Sequence, residues 1–215
     1  MLLEFHAELI RQALAEEVGP RALQVITASN LRQDSLPNQV GHDELHFDNN
    51  AFEQGHRYIQ DQRARIAPAL SQGQVSLAWQ AFGRLSHTAQ DFYAHSNYIS
   101  LWVAAHPSAA SSEIDPLDES LLQNPALHSG KLYYPRELLY FIPPLRKFAL
   151  AHLPADSHAR MNLDSPAQGP LFDFAFAAAL QRTRFEFEQV RFMLPPGQFA
   201  LFSDRQAPPS PARPG

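Results

Sequence analysis

Three residues spaced one helical turn apart carry the strongest chemical signal in this sequence. His87, Asp91 and His95 lie at positions i, i+4 and i+8 of the segment GRLSHTAQDFYAHSNYISLW, so a helix places all three on one face. The apolar residues among them predict that this helix is largely buried. Buried imidazole and carboxylate groups need partners, and a divalent metal ion satisfies all of them at once. The alternative that the residues leave open is a set of core histidines hydrogen-bonded to Asp91.

A second group of candidate ligands lies in the polar stretch between residues 30 and 49. It contains Asp34 and the segment HDELHFDNN. A loop so rich in His, Asp and Asn is also typical of a solvated, turn-rich surface. His46 fits that alternative less well, because Leu45 and Phe47 flank it as if it faced inward. Asp34 and His46 are therefore the predicted ligands from this stretch.

Candidates also occur towards both ends of the sequence. His6 stands among apolar residues of the first helical segment, and His158 is followed by Asn162 and Asp164 in HARMNLDSP. A single His in a polar loop is commonly a surface residue, so His158 gains its meaning from the other clusters. The sequence contains no cysteine, so any metal must be held by imidazole and oxygen ligands.

Helices are the only regular elements that the hydrophobic pattern predicts. Apolar residues recur at helical spacing, and the strand pattern of alternating residues is missing. The fold class predicted is all-α, a single helical domain over residues 1–200 with long functional loops, followed by a Pro-rich tail over residues 201–215 that is too polar to pack. The predicted helices are a first one that Gly19-Pro20 ends, then residues 21–29, 51–71, 74–104, 135–153 with a break at Pro143-Pro144, and 171–193.

Composition narrows the classes of function. The 215 residues are 45% hydrophobic and 18% charged, which is typical of a globular protein. A net charge of −5 gives no basic face for duplex nucleic acid, so we expect no such partner. The first residues lack the pattern of a cleavable signal, and no apolar run is long enough to span a bilayer. The default expectation is a cytoplasmic protein, with export by a signal-independent route as the alternative.

Several of these motifs together resemble the heterokaryon-incompatibility C (HET-C) proteins. HAELIRQAL, NLRQDS, HFDN, SHTAQDFYAHSN and HARMNLDSP occur in that order, and SHTAQDFYAHSN is the most specific. The resemblance extends to a superfamily of zinc-dependent phospholipases C and single-strand nucleases. It implies a helical domain of the zinc-dependent phospholipase C type with two to three zinc ions in a cleft.

The resemblance also implies how the ligands are shared among the ions. Asp34, His46, His87 and Asp91 would form one zinc site, and Asp91 would bridge to a second that contains His6. His95 and His158, with Asp164 or Asn162, would form the third. The sequence departs from the phospholipase pattern in three ways. His95 follows Asp91 at a shorter spacing, Asn162 stands where a Glu is expected, and Met1 offers no obvious match to the N-terminal ligand.

The activity implied is metal-dependent hydrolysis of a phosphodiester, with Asp34 as the candidate catalytic residue that orients or deprotonates water. The expected substrate is a phospholipid at a membrane surface, contacted by the loops around residues 106–134 and 141–144. One alternative is a single-strand nuclease, for which Tyr93, Tyr98, Tyr133 and Tyr134 could stack bases. Another is a non-catalytic interaction protein in which zinc serves folding alone. The residues leave the oligomeric state open.

Overall fold

The structure is a computed structural model that describes residues 1–39, 41–140 and 142–205. In these residues the regular elements are helices, and pairing between extended segments is limited to two isolated bridges, Ser96 with Ser129 and Lys131 with Ser157. The prediction of an all-α domain is confirmed. The α-helices are α1 (Leu3–Leu14), α2 (Pro20–Leu31), α3 (Leu36–Gln39), α4 (Asp43–His46), α5 (Phe52–Ala64), α6 (Ile66–Ser71), α7 (Val75–His95), α8 (Tyr98–Ala105), α9 (Glu119–Leu122), α10 (Arg146–His152), α11 (His158–Met161), α12 (Leu171–Met193) and α13 (Pro196–Ser203).

Helix α7 is the central element, and α1, α2, α5, α6 and α12 pack around it or around its direct neighbours. Every residue from Leu85 to His95 is buried, as expected for a helix enclosed on all sides. Gly83 allows α2 to approach closely, because a Cβ atom there would lie 2.4 Å from the carbonyl oxygen of Ile26. The consequence is that the polar residues of α7 cannot reach bulk solvent and must find partners inside the protein.

Two predicted helices are each divided in the structure. The helix predicted over residues 51–71 breaks at Arg65, because the ring of Pro68 would clash with the carbonyl of Ala64 if the helix continued. The helix predicted over residues 74–104 breaks after His95. There Asn97 donates its amide hydrogen to the carbonyl of His128 at 2.9 Å, and its side chain accepts from the His128 amide at 2.8 Å. A tertiary partner thus replaces the helical hydrogen bonds.

The segment from residue 131 to 161 forms a small unit beside the main core. It has its own apolar cluster around Tyr140, Ala149, Leu153 and Ala159. The helix predicted over residues 135–153 is realised here as two short 3-10 turns and α10, since the Pro143-Pro144 pair interrupts it. This unit carries His158 at the start of α11.

The C-terminal part of the fold extends further than the sequence suggests. Helix α12 has the predicted bounds, but α13 follows it, and both Phe202 and Ser203 are buried. The packed part of the chain therefore passes residue 200, where the tail was predicted to begin. The rest of that tail, residues 206–215, lies outside the described residues, as does Phe141. Among the described helices, none combines the length and the apolar character needed to cross a membrane.

Candidate metal centre

Asp91 lies at the centre of a cluster of imidazole nitrogens. Its Oδ2 atom is 2.9 Å from His46 Nδ1 and 3.0 Å from His87 Nε2. Its Oδ1 atom is 3.2 Å from His6 Nε2 and 3.9 Å from His95 Nε2. The two oxygens of one buried carboxylate thus face two different sets of donors, which is the arrangement of a bridging ligand.

The first set is completed by Asp34. Its Oδ1 atom is 3.7 Å from His87 Nε2 and 4.0 Å from His46 Nδ1. The ligand atoms of Asp34, His46, His87 and Asp91 all lie within 4.8 Å of one another. These are the four residues that the resemblance assigned to one site, and they come from three separate segments of the chain, since His87 and Asp91 both lie on α7.

A second group consists of Asp48, His95 and His158, whose ligand atoms also lie within 4.8 Å of one another. Asp48 was not among the predicted ligands. Its Oδ1 atom is 2.8 Å from His158 Nδ1, and the side chain is buried. Asp164 adjoins this group, because its Oδ1 atom is 3.2 Å from His95 Nε2.

Asn162 does not join the cluster, so its assignment as an alternative to Asp164 is wrong. Its side-chain oxygen accepts from Gln168 Nε2 at 2.8 Å. Its amide nitrogen donates to the hydroxyl of Tyr140 and to the carbonyls of His158 and Ala159. Both ends of the side chain are therefore used to fix the turn after α11.

The nitrogen of Met1 is also part of the cluster. It lies 2.7 Å from Asp91 Oδ1 and 3.1 Å from Asp164 Oδ1. No residue pattern at the start of the sequence predicted this contact, because it joins the first residue to a carboxylate 90 positions away. Although burial lowers the pKa of this amino group, Asp164 and Asp91 outweigh that effect and raise the pKa to about 11, so the group places a positive charge beside Oδ1 of Asp91.

The orientation of His6 is fixed by a chain of hydrogen bonds whose direction can be traced. Thr183 donates its hydroxyl hydrogen to the carbonyl of Ala179 at 2.8 Å and therefore accepts from Gln90 Nε2 at 3.0 Å. The Oε1 atom of Gln90 must then face His6, where it lies 2.7 Å from Nδ1. Because an amide oxygen only accepts, Nδ1 of His6 carries the hydrogen. Its Nε2 atom consequently presents a lone pair to Asp91.

His95 is oriented in the same manner. Its Nδ1 atom lies 2.9 Å from the backbone carbonyl of His46 and must donate to it, because a carbonyl has no hydrogen to give. The Nε2 atom faces Asp164 and Asp91, so in the neutral ring that binds metal its lone pair points into the cluster. A backbone or carboxylate partner on the far nitrogen is the usual way in which metal-binding histidines are held.

Burial also acts on the protonation of these histidines. Burial, with His6 nearby, lowers the pKa of His87 to about 4, and burial lowers the pKa of His6 as well. Both rings are therefore neutral near pH 7, which is the form that binds metal. His158 differs. Although burial lowers its pKa, the adjacent Asp48 outweighs that effect and raises the pKa of His158 to about 9. A carboxylate that attracts a proton this strongly also attracts a metal cation.

The turn that carries His46 and Asp48 has an uncommon backbone. Phe47, Asn49 and Asn50 all have positive φ angles, of 58°, 52° and 60°, which side-chain-bearing residues seldom adopt. Packing compensates at Phe47, which is fully buried between Phe52, Phe92 and other aromatic rings. The turn places Phe47 in the apolar core and brings both His46 and Asp48 into the cluster.

Hydrogen bonds tie this turn to the segment that holds His158. Asn49 donates its amide hydrogen to the carbonyl of Gly130 at 2.9 Å, and the Asn50 side chain accepts from the Ser129 amide at 2.7 Å. One step further, the amide of His158 donates to the carbonyl of Lys131 at 2.9 Å. Gly130 is required for this contact, since a Cβ atom there would lie 2.6 Å from the Cα atom of His158.

The cluster forms the floor of a cleft of about 340 Å³. His6, His87 and Asp91 are fully buried, whereas the side chains of Asp34 and Asp164 are 18% and 17% exposed. Asp34 and Asp164 both line the cleft. One side of the cluster is therefore accessible from outside.

We expect Gln90→Leu to weaken metal binding by about 10–100-fold, the usual effect of removing a partner that orients a metal ligand. The substitution removes the acceptor that holds His6 and also leaves Thr183 without its donor. Affinity is measured by competition with a chromophoric zinc chelator. Gln80→Leu is the matched control, because it lies on the same helix and its side chain bonds only weakly, to Ser76 at 3.4 Å. Equal affinity in the two variants would show that Gln90 does not position His6.

Comparison with known proteins shows a different relationship from the one the motifs suggested. Residues 8–111 match the family model of the VWA7 N-terminal domain. The chain is 37% identical over 87 residues to the human von Willebrand factor A domain-containing protein 7 (Homo sapiens) and 34% identical over 80 residues to the rat protein (Rattus norvegicus). Each match covers 37% of this chain and 9% of the relative. No solved structure matches the chain.

These matches contradict the resemblance to HET-C proteins and the zinc-dependent phospholipase C superfamily. They also overturn the functions that depended on it, the phospholipase C activity and the single-strand nuclease alternative. The segment that matches the VWA7 N-terminal domain contains Asp34, His46, Asp48, His87, Asp91 and His95, whereas His6, His158 and Asp164 lie outside it. The geometry of the cluster is independent of either relationship.

Proposed function

We propose that this chain is a metal-binding domain that holds two to three divalent ions, with zinc as the ion that suits its ligands. The ions would be held by the cluster around Asp91, and Asp91 would bridge two of them. The residues that would hold the ions are either buried or lie on the floor of the cleft. They are His6, Asp34, His46, Asp48, His87, Asp91, His95, His158 and Asp164.

The observation that carries this proposal is the lone pair of His6 that faces a carboxylate. His6 Nε2 lies 3.2 Å from Asp91 Oδ1, with its own hydrogen committed to Gln90 on the other side of the ring. Two acceptors at this distance repel each other unless a positive charge lies between or beside them. His95 Nε2 lies 3.2 Å from Asp164 Oδ1. The Met1 amino group supplies one positive charge beside both carboxylate oxygens, and a metal cation would supply further charge and accept the lone pair of His6.

The choice of zinc follows from the donor set. Imidazole nitrogens with carboxylate oxygens, and no thiolate, are typical ligands of zinc, whereas magnesium and calcium favour oxygen alone. Four aspartates among the ligands balance much of the charge of several divalent ions. The neutral state that burial imposes on His87 and His6 favours metal over protons near neutral pH.

The accessible side of the cluster favours a catalytic centre over a purely structural one. Structural zinc sites are closed by protein ligands, while catalytic sites keep a position for an external molecule. Bound zinc would supply Lewis acidity to an oxygen atom of such a molecule. Asp34 stands at the cleft wall beside His46 and His87, so it is the candidate residue for orienting that oxygen.

The direct test is metal analysis of the protein after expression in zinc-replete medium. We expect two to three equivalents of zinc per chain by inductively coupled plasma mass spectrometry, retained through gel filtration. Cobalt substitution provides a second measure, because its visible spectrum reports nitrogen and oxygen coordination. A protein that carries less than about half an equivalent of any divalent metal would sink the proposal.

A further inference from the structure

The walls of the metal cleft differ sharply from its floor. The cleft is lined on its outer part by Leu2 and Leu3 of the N-terminal segment and by Leu132, Tyr134 and Leu138 of the 131–161 unit. Four of these side chains, those of Leu2, Leu3, Tyr134 and Leu138, are about half exposed. Exposed apolar side chains that converge on one cavity commonly mark a ligand-binding groove.

The floor has the opposite character once metal is bound. Four aspartates supply four negative charges and the Met1 amino group supplies one positive charge, so two divalent ions would leave one net positive charge at the base of the cleft and three would leave three. No Lys or Arg occurs among the described residues that line it, so the ions would be the main cationic groups that face a ligand there, together with the Met1 amino group. A positive floor beneath apolar walls is complementary to a molecule with an anionic oxygen head and a hydrocarbon tail.

The volume of the cleft limits the length of the hydrocarbon tail that it can hold. A volume of about 340 Å³ is at the small end of the range for small-molecule sites, roughly 300–1,000 Å³. One hydrocarbon chain of modest length suits this space better than a lipid with two long chains. A carboxylate suits the floor, because it is an oxygen ligand that zinc accepts readily.

We propose that the cleft binds an aliphatic monocarboxylate, with the carboxylate on the metal ions and the chain between the N-terminal leucines and the 131–161 unit. This inference rests on the proposed metal-binding function, since the head group would have no partner without the ions. Leu138 is the wall residue best suited to a test, because it is 47% exposed and is not a ligand of the cluster.

The experiment is isothermal titration of the zinc-loaded full chain with butanoate, hexanoate and octanoate. Affinity should increase by about fourfold for each added methylene, as the chain leaves water, and should level off once the cleft is full. Octylammonium has the same tail with a cationic head, and we expect it to bind at least tenfold more weakly than octanoate. Leu138→Gln should weaken octanoate binding by about tenfold with little change for butanoate.

Leu145→Gln is the matched control. Leu145 is 39% exposed and belongs to the same unit, but it does not line the cleft. Equal loss of octanoate binding in both variants would show that the hydrocarbon chain does not bind in this cleft. If octanoate binds no better than butanoate, the apolar residues do not contact the hydrocarbon chain. If octylammonium binds as well as octanoate, the cleft does not select an anionic head group. Loss of the zinc itself in the unmodified protein would instead refute the proposed function, so the two failures are distinguishable.

Discussion

Asp91→Asn is expected to remove two metal ions from the protein at once. Its Oδ2 atom faces His46 and His87, and its Oδ1 atom faces His6. Asparagine has nearly the same shape but only one oxygen and no charge, so it cannot bridge two cations. Zinc content should fall from two or three equivalents to at most one, as measured by mass spectrometry.

His158→Ala provides the contrast, because His158 Nδ1 lies 2.8 Å from Asp48 Oδ1 and belongs to the second group of candidate ligands. That variant should lose one ion and keep the rest. Asp61→Asn, on the exposed face of α5, is the control for the chemical change alone and should keep every ion. Circular dichroism of each variant checks that the helices remain. A similar loss of zinc in Asp91→Asn and His158→Ala would show that Asp91 does not bridge.

Helix α7 and its candidate metal ligands could be predicted from the sequence, because the helical repeat alone determines which side chains share a face. His87, Asp91 and His95 share one face of any α-helix. Helix α12 was likewise predicted with correct bounds, since its apolar pattern is long and uninterrupted. The breaks at Arg65 and after His95 were missed. The first depends on one proline within a helical pattern, and the second on hydrogen bonds between Asn97 and His128, which are distant in sequence.

Asp48 was missed for a different reason. The direction of the Asp48 side chain is determined by the turn, in which Phe47 adopts a positive φ angle. The residue types in HDELHFDNN do not predict that conformation for a phenylalanine. The opposite error occurred at Asn162, where a polar residue near His158 was assigned to the cluster but is used to fix a turn. Local pattern identifies residues capable of chemistry, while tertiary contacts decide which way they point.

The error in family assignment has a physical explanation. Histidines and aspartates at helical spacing satisfy a general need, which is to direct several donors at one point from a buried helix. Unrelated proteins can meet the same need, so the spacing indicates a metal site and leaves ancestry and substrate open. The match to the VWA7 N-terminal domain removes the support for the phospholipase and nuclease functions, while the distances around Asp91 still support the proposal of metal binding.

Removal of metal is expected to lower the thermal stability of the protein substantially. An ion that binds only the folded state stabilises it by about 3–4 kcal/mol when its free concentration is 100–1,000 times its Kd. For a chain of this size, each kcal/mol corresponds to about 2–4 °C in Tm. We therefore expect Tm to fall by roughly 6–16 °C when a strong chelator is added, as measured by differential scanning calorimetry, and to recover when zinc is restored.

The structural reason is that Asp91 and Asp48 are buried carboxylates, and two of the histidines beside Asp91, His6 and His87, are neutral near pH 7. Without the metal ions, the charge of these carboxylates is balanced by the Met1 amino group and by protons on His46 and His158, which places charged groups in the core. Asp91→Asn is the control, because its Tm should respond much less to the chelator. An unchanged Tm in a wild-type protein that has lost its zinc would mean that protons already neutralise the cluster. The lone pair of His6 would then not face Asp91, and the proposal would lose the observation on which it depends.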